Sequence, residues 1–351
     1  DENILNGTII LILITCLVSS FVTEKAAKQI VVESENDSND LVKLNSNRSE
    51  HILLPIANFS NIEKLLEFAI LIKDKKSVNP VSILSVVSDN QEAEVNILKA
   101  RNELEKFVKE GSASETKVDI ITTIDHNFAS GIVRISREIM ADIVILGWPK
   151  RAGFIEKLIG EKFRGILSNT DKTTFICSLE KPLVSHKRIL VAAPPLAEHE
   201  KGFEIWLKKI AKFAIELSVP IVVFCDKATE NAVRKSVKKA KLNASITINQ
   251  FVDWEDFLVL SRHVHEDDLF ILVSARKGAT SFIGALEQLP TKIEKYFATN
   301  NRIIVYPQRL ANNVTTQHYA DITSEPLNKG FDAVQKIGKG IGSLFKNKKD
   351  Y

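Results

Sequence analysis

The chain has 351 residues, of which 44% are hydrophobic and 26% charged, and its formal net charge is +3. This composition is that of a globular protein, so it argues against a wholly disordered chain and against an all-membrane protein. So small a net charge on so long a chain gives no reason to expect nucleic-acid binding. At about 100–200 residues per domain, the length predicts two domains.

The three cysteines, Cys16, Cys177 and Cys225, lie far apart, and none belongs to a C-x-x-C pair. A disulfide framework or a thiolate metal site is therefore not expected, and a reducing cytosol fits this usage. Cys177 and Cys225 lie in apolar runs and are predicted to be small core residues. His263 and His265 stand two apart, a spacing that does not bring both rings to one helix face. Without G-x-S-x-G, H-E-x-x-H or P-loop motifs, we expect neither an enzyme nor a metal site.

The N-terminal part contains an uncharged apolar run over residues 4–22. That length is close to the roughly 20 residues that a bilayer-crossing helix needs. Asp1 and Glu2 precede the run and Lys25 and Lys28 follow it, which disfavours a secretory signal peptide. The pattern predicts a transmembrane helix over residues 1–23 with its exit in the cytosol, followed by a polar linker over residues 24–50. A buried helix of a soluble protein and a lone signal anchor are the alternatives.

From residue 51 onwards, short runs rich in Val, Ile and Leu alternate with longer helical patterns, which predicts a parallel sheet covered on both faces. Five runs begin at His51, Val81, Val118, Asp142 and Thr173, and five more begin at Arg188, Pro220, Ala244, Asp267 and Arg302. Because the order restarts after Pro182, we predict an α/β fold of two tandem doubly wound five-stranded units, 51–181 and 182–310, rather than one large sheet. With the switch point of each unit between its first and fourth strands, a ligand would lie at the loops after those strands.

The loop after the fourth run carries a family resemblance. Gly147-Trp148-Pro149-Lys150, followed by Gly160 and Glu161, resembles the phosphate loop of the universal stress protein family, Gly-x2-Gly-x9-Gly-Ser/Thr. Glycine backbones approach phosphates closely, and bare N–H groups at a helix start bind anions. Gly147 and Gly160 match this pattern, whereas Lys150 and Glu161 depart from it. The resemblance implies a degenerate phosphate site of Gly147, Lys150 and Gly160, for which ATP or AMP would be the ligand.

The second unit departs further from that pattern. Its fourth run is followed by Ser274, Ala275, Arg276, Lys277 and Gly278, and Glu287 stands where the last glycine would fall. The resemblance assigns any remaining phosphate contact to Arg276, Lys277 and Gly278. The family also tends to place an aspartate after the first strand to hold the base. Ala57 or Asn58 stands there in the first unit and Pro194 in the second, so we expect a retained fold with eroded pockets and no cofactor.

The C-terminal residues 311–351 form a basic tail. Apolar residues recur there at helical spacing from Phe331 to Phe345, with lysines on the other side. Such a pattern is typical of a helix that contacts a lipid surface, and residues 329–351 are the candidate segment. The glycines at 338, 340 and 342 weaken the helix, so a frayed, solvated tail is the alternative.

The order of these segments is similar to the C-terminal part of bacterial monovalent cation:proton antiporters of the type-2 family, which are sodium/hydrogen exchangers. The apolar helix, the exit sequence TEKAAKQIVVE from Thr23 to Glu33 and the two stress-protein-like units carry this resemblance. It implies a transport domain upstream of residue 1, a homodimer in the inner membrane, and residues after about 23 in the cytosol. The function implied is regulation of Na⁺(K⁺)/H⁺ exchange. A membrane-anchored tandem stress protein that binds an adenine nucleotide and a structural dimerisation scaffold are the alternatives.

Overall fold

The computed structural model describes residues 49–113, 116–148 and 163–309 and, near the N-terminus, residues 7–16, 18–19, 22–23 and 26–27. The chain divides into two compact units, residues 1–49 and 50–351. In the first unit, residues 7–16 are helical and exposed. Among the residues described, none of the helices combines the length and the apolar character needed to cross a bilayer. The transmembrane helix over 1–23 and the linker over 24–50 therefore stay predictions, and the tail over 311–351 lies outside the described residues.

The second unit contains the ten strands that the apolar runs predict, each within two residues of the predicted start. In chain order they are β1 Ile52–Pro55, β2 Val81–Ser88, β3 Val118–Asp125, β4 Ile143–Gly147, β5 Thr173–Ser178, β6 Arg188–Ala192, β7 Ile221–Cys225, β8 Ile246–Gln250, β9 Asp268–Val273 and β10 Asn301–Tyr306. Their Val and Ile side chains suit a pleated surface, which is why these runs become strands. The inner strands are mostly buried, whereas β3 and β8 are partly exposed.

The sheet has the order β3-β2-β1-β4-β5-β10-β9-β6-β7-β8. Each half repeats one doubly wound order in which the first strand lies between the second and the fourth, so the predicted α/β fold and its switch points are confirmed. The halves do not form separate sheets, however. Strands β5 and β10 pair antiparallel, with Ile176 opposite Ile304 at the centre, while all other neighbours are parallel.

The pairing of β5 with β10 closes a sheet edge that each half would otherwise leave open. A five-stranded half would leave the backbone groups of its fifth strand unpaired at an open edge, which is unfavourable for a buried, apolar strand. β5 and β10 are both almost wholly buried. Since they pair with each other, each provides hydrogen-bond partners for the backbone groups at the other's edge. The two predicted copies thus share one sheet, and the boundaries 51–181 and 182–310 stay a prediction.

The described helices are α1 Ile62–Ile72, α2 Ala93–Ala113, α3 Phe128–Glu138, α4 Arg164–Asn169, α5 Phe203–Leu217, α6 Lys227–Lys239 and α7 Leu289–Tyr296. Short 3₁₀ segments lie at Phe59–Asn61, Leu183–Ser185, Ala197–His199, Phe257–His263 and Gly284–Glu287. Two helix starts are capped by side chains, since Asn127 accepts a hydrogen bond from the Ser130 amide and Asp226 accepts one from the Thr229 amide.

Two apolar cores lie on opposite faces of the sheet. One is covered by α1 and α5, the first helices of the two halves, which pack against each other. There the Phe68 ring meets the edges of Phe175 and Phe213, with centroids 5.7 and 5.1 Å apart. The other core is covered by α3, α4, α7 and the 3₁₀ segments at Phe257–His263 and Gly284–Glu287. Cys177 and Cys225 are buried in the first core, which confirms the prediction that they are small core residues.

Candidate functional site

The switch points place two pairs of loops at the carboxyl ends of parallel strands. In the first half, β1 and β4 are neighbours, so the loop starting at Ile56 lies beside the loop starting at Trp148. In the second half, β6 and β9 are neighbours, so the loop starting at Ala193 lies beside the loop starting at Ser274. A ligand of a doubly wound sheet binds at such a crevice. These two loop pairs are therefore the candidate sites.

In the first half, Gly147 ends β4 as the sequence predicts. A β-carbon at this position would lie 3.0 Å from Cδ1 of Leu65, so packing against α1 favours glycine here whether or not a phosphate binds. Ala57 and Asn58, at the position where the family holds the base, are exposed. Lys150 and Gly160 lie outside the described residues, and their phosphate role stays a prediction.

Trp148, the residue after Gly147, contacts both halves of the molecule. The Trp148 amide donates to the Cys177 carbonyl at 2.7 Å, and its buried indole ring lies 5.8 Å from the guanidinium carbon of Arg302 on β10. The Arg302 guanidinium also donates to the Phe297 carbonyl and to the Ser178 hydroxyl, each at 2.9 Å. The start of the first loop is thus anchored to β10 across the junction.

Glu294 of α7 completes this cluster around Trp148. Burial raises the pKa of the Glu294 carboxyl, with the charge of Arg302 and the neighbouring Trp148 side chain opposing that effect. Burial also lowers the pKa of the Arg302 guanidinium, and the charge of Glu294 opposes it. The opposite charges of Arg302 and Glu294 attract each other, but burial has the larger effect on the pKa of both groups.

In the second half, Arg276 is engaged by backbone carbonyls. Its guanidinium donates to the Leu167 carbonyl at 3.1 Å, to the Lys172 carbonyl at 2.7 Å and to the Pro307 carbonyl. Leu167 and Lys172 belong to the first half, so this arginine also bridges the junction. The side chain is buried, which lowers the pKa of the guanidinium to about 10. The donors predicted to bind a phosphate are directed at protein oxygens.

A carboxylate occupies the same loop. The Glu200 side chain accepts hydrogen bonds from the Ser281 amide at 2.9 Å and from the Ser281 hydroxyl at 2.8 Å. An amide and a hydroxyl that converge on one carboxylate oxygen are donors of the type that bind an anionic ligand. The protein's own Glu200 takes this place. A phosphate there would meet a negative charge instead of two free donors.

The other two predicted residues of this loop lie at the surface. The half-exposed Lys277 side chain forms an ion pair of 2.5 Å with Glu287. Gly278 has φ of 78°, a left-handed backbone that glycine adopts at no steric cost, so the turn by itself accounts for this glycine. Pro194, at the base position, is buried and has no N–H to donate. In the second half, the Arg276 guanidinium and the Ser281 amide and hydroxyl are thus engaged by groups of the chain itself.

One groove of about 330 Å³ lies elsewhere, between α6 and β8. It is lined by apolar side chains such as Val237 and Ile248, with Arg234, Lys238 and Lys241 among its lining residues. It lies at the β8 edge of the sheet, two strands away from the β6–β9 switch point. Within the described ranges, no group of three or more His, Cys, Asp and Glu side chains could hold a metal ion.

Sequence reasoning missed the interactions that fill these loops. The charge of Arg276 predicts an anion contact, but its carbonyl partner at Leu167 lies 109 residues away, and Glu200 lies 81 residues from Ser281. No local sequence pattern links residues so far apart. The antiparallel pairing of β5 with β10 brings Arg276 near Leu167 of the other half, and the parallel pairing of β6 with β9 brings Glu200 near Ser281.

Comparisons with known proteins show what the chain is similar to in sequence and in fold. No protein-family model matches the chain. Its sequence is 25% identical over 321 residues to the Na(+)/H(+) antiporter NhaS5 of Synechocystis sp. (strain ATCC 27184 / PCC 6803 / Kazusa), an alignment that covers 84% of this chain and 45% of that protein. The chain thus spans less than half the length of the curated relative that it matches.

Two solved structures share the fold. A universal stress protein from Archaeoglobus fulgidus DSM 4304 matches with a TM-score of 0.51 and 14% identity, covering 75% of this chain and 97% of that one. The cytoplasmic domain of a prokaryotic cation chloride cotransporter matches with a TM-score of 0.50 and 14% identity, covering 76% and 99%. The chain therefore has a universal-stress-protein-like α/β region and is similar in sequence to a cation/proton antiporter, as the order of its segments predicts.

Proposed function

We propose that this chain is the cytosolic regulatory region of an inner-membrane Na⁺(K⁺)/H⁺ antiporter, whose transport domain precedes residue 1. The observation that carries the proposal is the similarity to a sodium/proton antiporter, which extends over 84% of the chain and so cannot be confined to the apolar N-terminal run. The fold shared with the cytoplasmic domain of a cation chloride cotransporter supports it. Residues after about 23 would lie in the cytosol.

The geometry favours regulation over catalysis or nucleotide binding. In the second half, the candidate loop is filled by Arg276 and Glu200, which bond to the chain itself. Arg276 and Arg302 tie the two halves into one body, because both contact groups of the first half. Such a body can bias a transporter only if it interacts differently with two of the transporter's conformations. A rigid junction between halves is a means of transmitting that difference, and it requires no catalytic group.

The test is cation/proton exchange by the complete protein with and without this region. Everted membrane vesicles from cells that lack their own antiporters would carry the whole protein, a variant that ends after Val32, or a variant that ends after Arg309. The last one is the matched control, since it removes only the tail. Exchange is followed by a pH-sensitive dye at several pH values and at several Na⁺ and K⁺ concentrations.

We expect the variant that ends after Val32 to exchange cations with a shifted pH or ion dependence, and the variant that ends after Arg309 to keep its profile nearer to that of the whole protein. Unchanged profiles for both variants would overturn a regulatory role. Loss of cross-linked dimers with unchanged profiles would favour the dimerisation scaffold instead.

The nucleotide-binding alternative has its own readout. Titration of ATP or AMP into the complete protein, followed by calorimetry, would detect binding at the first-half loop. Saturable binding that is lost in a Gly147→Val variant but kept in a Lys277→Ala variant would favour a tandem nucleotide-binding stress protein. We expect no binding at the loop after β9, because Glu200 occupies it.

A further inference from the structure

A buried histidine lies at the junction between the two halves. His186 belongs to the segment that connects β5 with β6, and only 4% of the residue is exposed. Its Nδ1 lies 3.3 Å from the Asp267 carbonyl oxygen, and its Nε2 lies 2.8 Å from Nδ2 of Asn301, the first residue of β10. Both ring nitrogens therefore have partners inside the protein.

The orientation of the Asn301 amide is fixed by its other hydrogen bonds. Its Oδ1 accepts the Glu180 amide at 2.6 Å and the Lys181 amide at 2.8 Å, while its Nδ2 donates to the Lys181 carbonyl at 2.8 Å. Turning the amide over would set its NH₂ group against two N–H donors. Nδ2 must therefore face His186 as a donor, so Nε2 of His186 must accept and Nδ1 must carry the proton.

Protonation of His186 breaks this arrangement. A proton on Nε2 would place an N–H against the NH₂ group of Asn301 at 2.8 Å, and neither group could then accept. The amide cannot adapt by turning, because both of its ends are engaged. A buried donor without an acceptor is unfavourable, so the connecting segment and the start of β10 must separate for the charged ring to be solvated.

The charges that face His186 do not compensate for a positive ring. Lys181 opposes protonation, whereas Asp267 and Asp268 favour it. Both carboxylates already have cationic partners, since Asp268 binds Arg188 through both oxygens at 2.6 and 2.8 Å and Asp267 pairs with Lys187 at 2.7 Å. Burial is the largest effect, and it lowers the pKa of His186 below the ordinary value of 6.5.

We propose that His186 is a proton switch at the junction of the two halves: protonation releases the segment between β5 and β6 from Asn301 and loosens the pairing of β5 with β10. The neutral ring holds the junction closed. Its physiological meaning, a response of the antiporter to cytosolic acidification, rests on the proposed function. The switch itself is a property of this chain and is testable without transport.

The direction of the pH dependence follows from the lowered pKa. The folded protein holds His186 neutral, whereas the unfolded chain binds a proton near pH 6.5. The stabilising contribution is therefore fully present above pH 6.5 and is lost as pH falls through the pKa of the folded state. The junction should loosen on the acidic side of neutrality.

The first test uses the full chain with its seven histidines labelled with ¹³C at the ring, titrated by NMR. A His186→Gln variant assigns the His186 signal, and a His126→Gln variant is the control, because the His126 side chain is 89% exposed. We expect the His186 midpoint to lie below 6.5 and the thermal stability of the protein to fall with pH. That fall should be smaller in His186→Gln and unchanged in His126→Gln. A midpoint at or above 6.5, or equal pH dependence in all three proteins, would overturn the switch.

A second variant keeps the test informative if His186→Gln folds poorly. Asn301→Asp keeps an oxygen for the Glu180 and Lys181 amides but turns the other end into an acceptor for a protonated ring. A carboxylate at this distance should raise the His186 midpoint by about 1–3 pH units relative to the wild-type protein. An unshifted midpoint would show that the His186–Asn301 contact does not control protonation, and would overturn the proposal.

Transport separates this proposal from the function on which its meaning rests. If truncation after Val32 alters the pH profile of exchange but His186→Gln does not, the regulatory function stands and the switch falls. If NMR shows the low midpoint but neither variant alters exchange, the switch stands as a property of the fold and the regulatory function falls.

Discussion

The two halves share one strand order and differ in what fills the loop after the fourth strand. In the first half, that loop begins with Trp148, whose ring is covered by Arg302 from the other half. In the second half, the loop is filled by its own Arg276 and by Glu200 from a neighbouring turn. Similar apolar runs thus give both halves the same strand order, while different residues stand in the two loops.

The halves differ again where the fourth strand begins. Asp142, just before β4, accepts only the His51 backbone amide among the bonds described, at 2.9 Å. Asp268, at the start of β9, binds the Arg188 guanidinium through both oxygens and also accepts the His265 amide at 2.7 Å. Where the second half has a buried ion pair, the bonds described for the first half show the hydrogen bond between Asp142 and the His51 amide.

The largest effect should come from the aromatic contact that joins the halves. Phe68→Ala removes a buried ring packed on Phe175 of its own half and on Phe213 of the other. We expect unfolding free energy to fall by about 3–5 kcal/mol, as for other buried phenylalanines. The control, Ile215→Ala on partly exposed α5, should cost less than about 1 kcal/mol. Urea unfolding measures both losses. An equal loss of unfolding free energy in Phe68→Ala and Ile215→Ala would contradict an apolar core shared by the two halves.

The next largest effect should distinguish the two acidic positions. Asp268→Asn removes one partner of a buried pair whose arginine side chain is 28% exposed, so we expect a loss of about 3 kcal/mol, the lower end for such pairs. Asp142→Asn keeps an oxygen for the His51 amide and should cost about 1 kcal/mol or less. Equal urea midpoints for the two variants would contradict the difference proposed between Asp268 and Asp142.

A smaller effect is expected in the loop after β9. Arg276→Met leaves three carbonyls without their donor, which should cost about 2–3 kcal/mol in unfolding free energy. Lys277→Met removes only a half-exposed ion pair and should change stability by less than about 1 kcal/mol. If Lys277→Met proved the more damaging, the assignment of Arg276 as a bridge between the halves would be wrong.

The smallest effect concerns thiol reactivity. Burial raises the pKa of Cys225 to about 12 and that of Cys177 well above its ordinary value, so neither is a reactive thiolate at neutral pH. In a Cys16→Ser background, which removes the cysteine of the predicted transmembrane segment, we expect no fast reaction with a thiol-reactive dye at pH 7.5 and two reactive cysteines after denaturation. Fast reaction of Cys177 or Cys225 in the native protein would contradict the buried core.

The sequence predicted the strands far better than the site. All ten apolar runs became strands, because their Val and Ile content is a local property that favours a strand. Burial on both faces applies to the inner strands, whereas the edge strands β3 and β8 are partly exposed. The filled loops could not be predicted, since Arg276 and Glu200 act through partners that only the tertiary fold brings near. Gly147 and Gly278 show a further limit: a glycine that matches a motif can also be required by packing or by a left-handed turn.

The pairing of β5 with β10 makes the two halves one body. Amide hydrogen exchange of the full chain would report it strand by strand. We predict that the amides around Ile176 and Ile304 exchange as slowly as those of the central strands β1 and β4, and more slowly than those of the edge strands β3 and β8. Exchange in β5 and β10 as fast as in β3 and β8 would contradict the shared sheet and separate the halves into independent units.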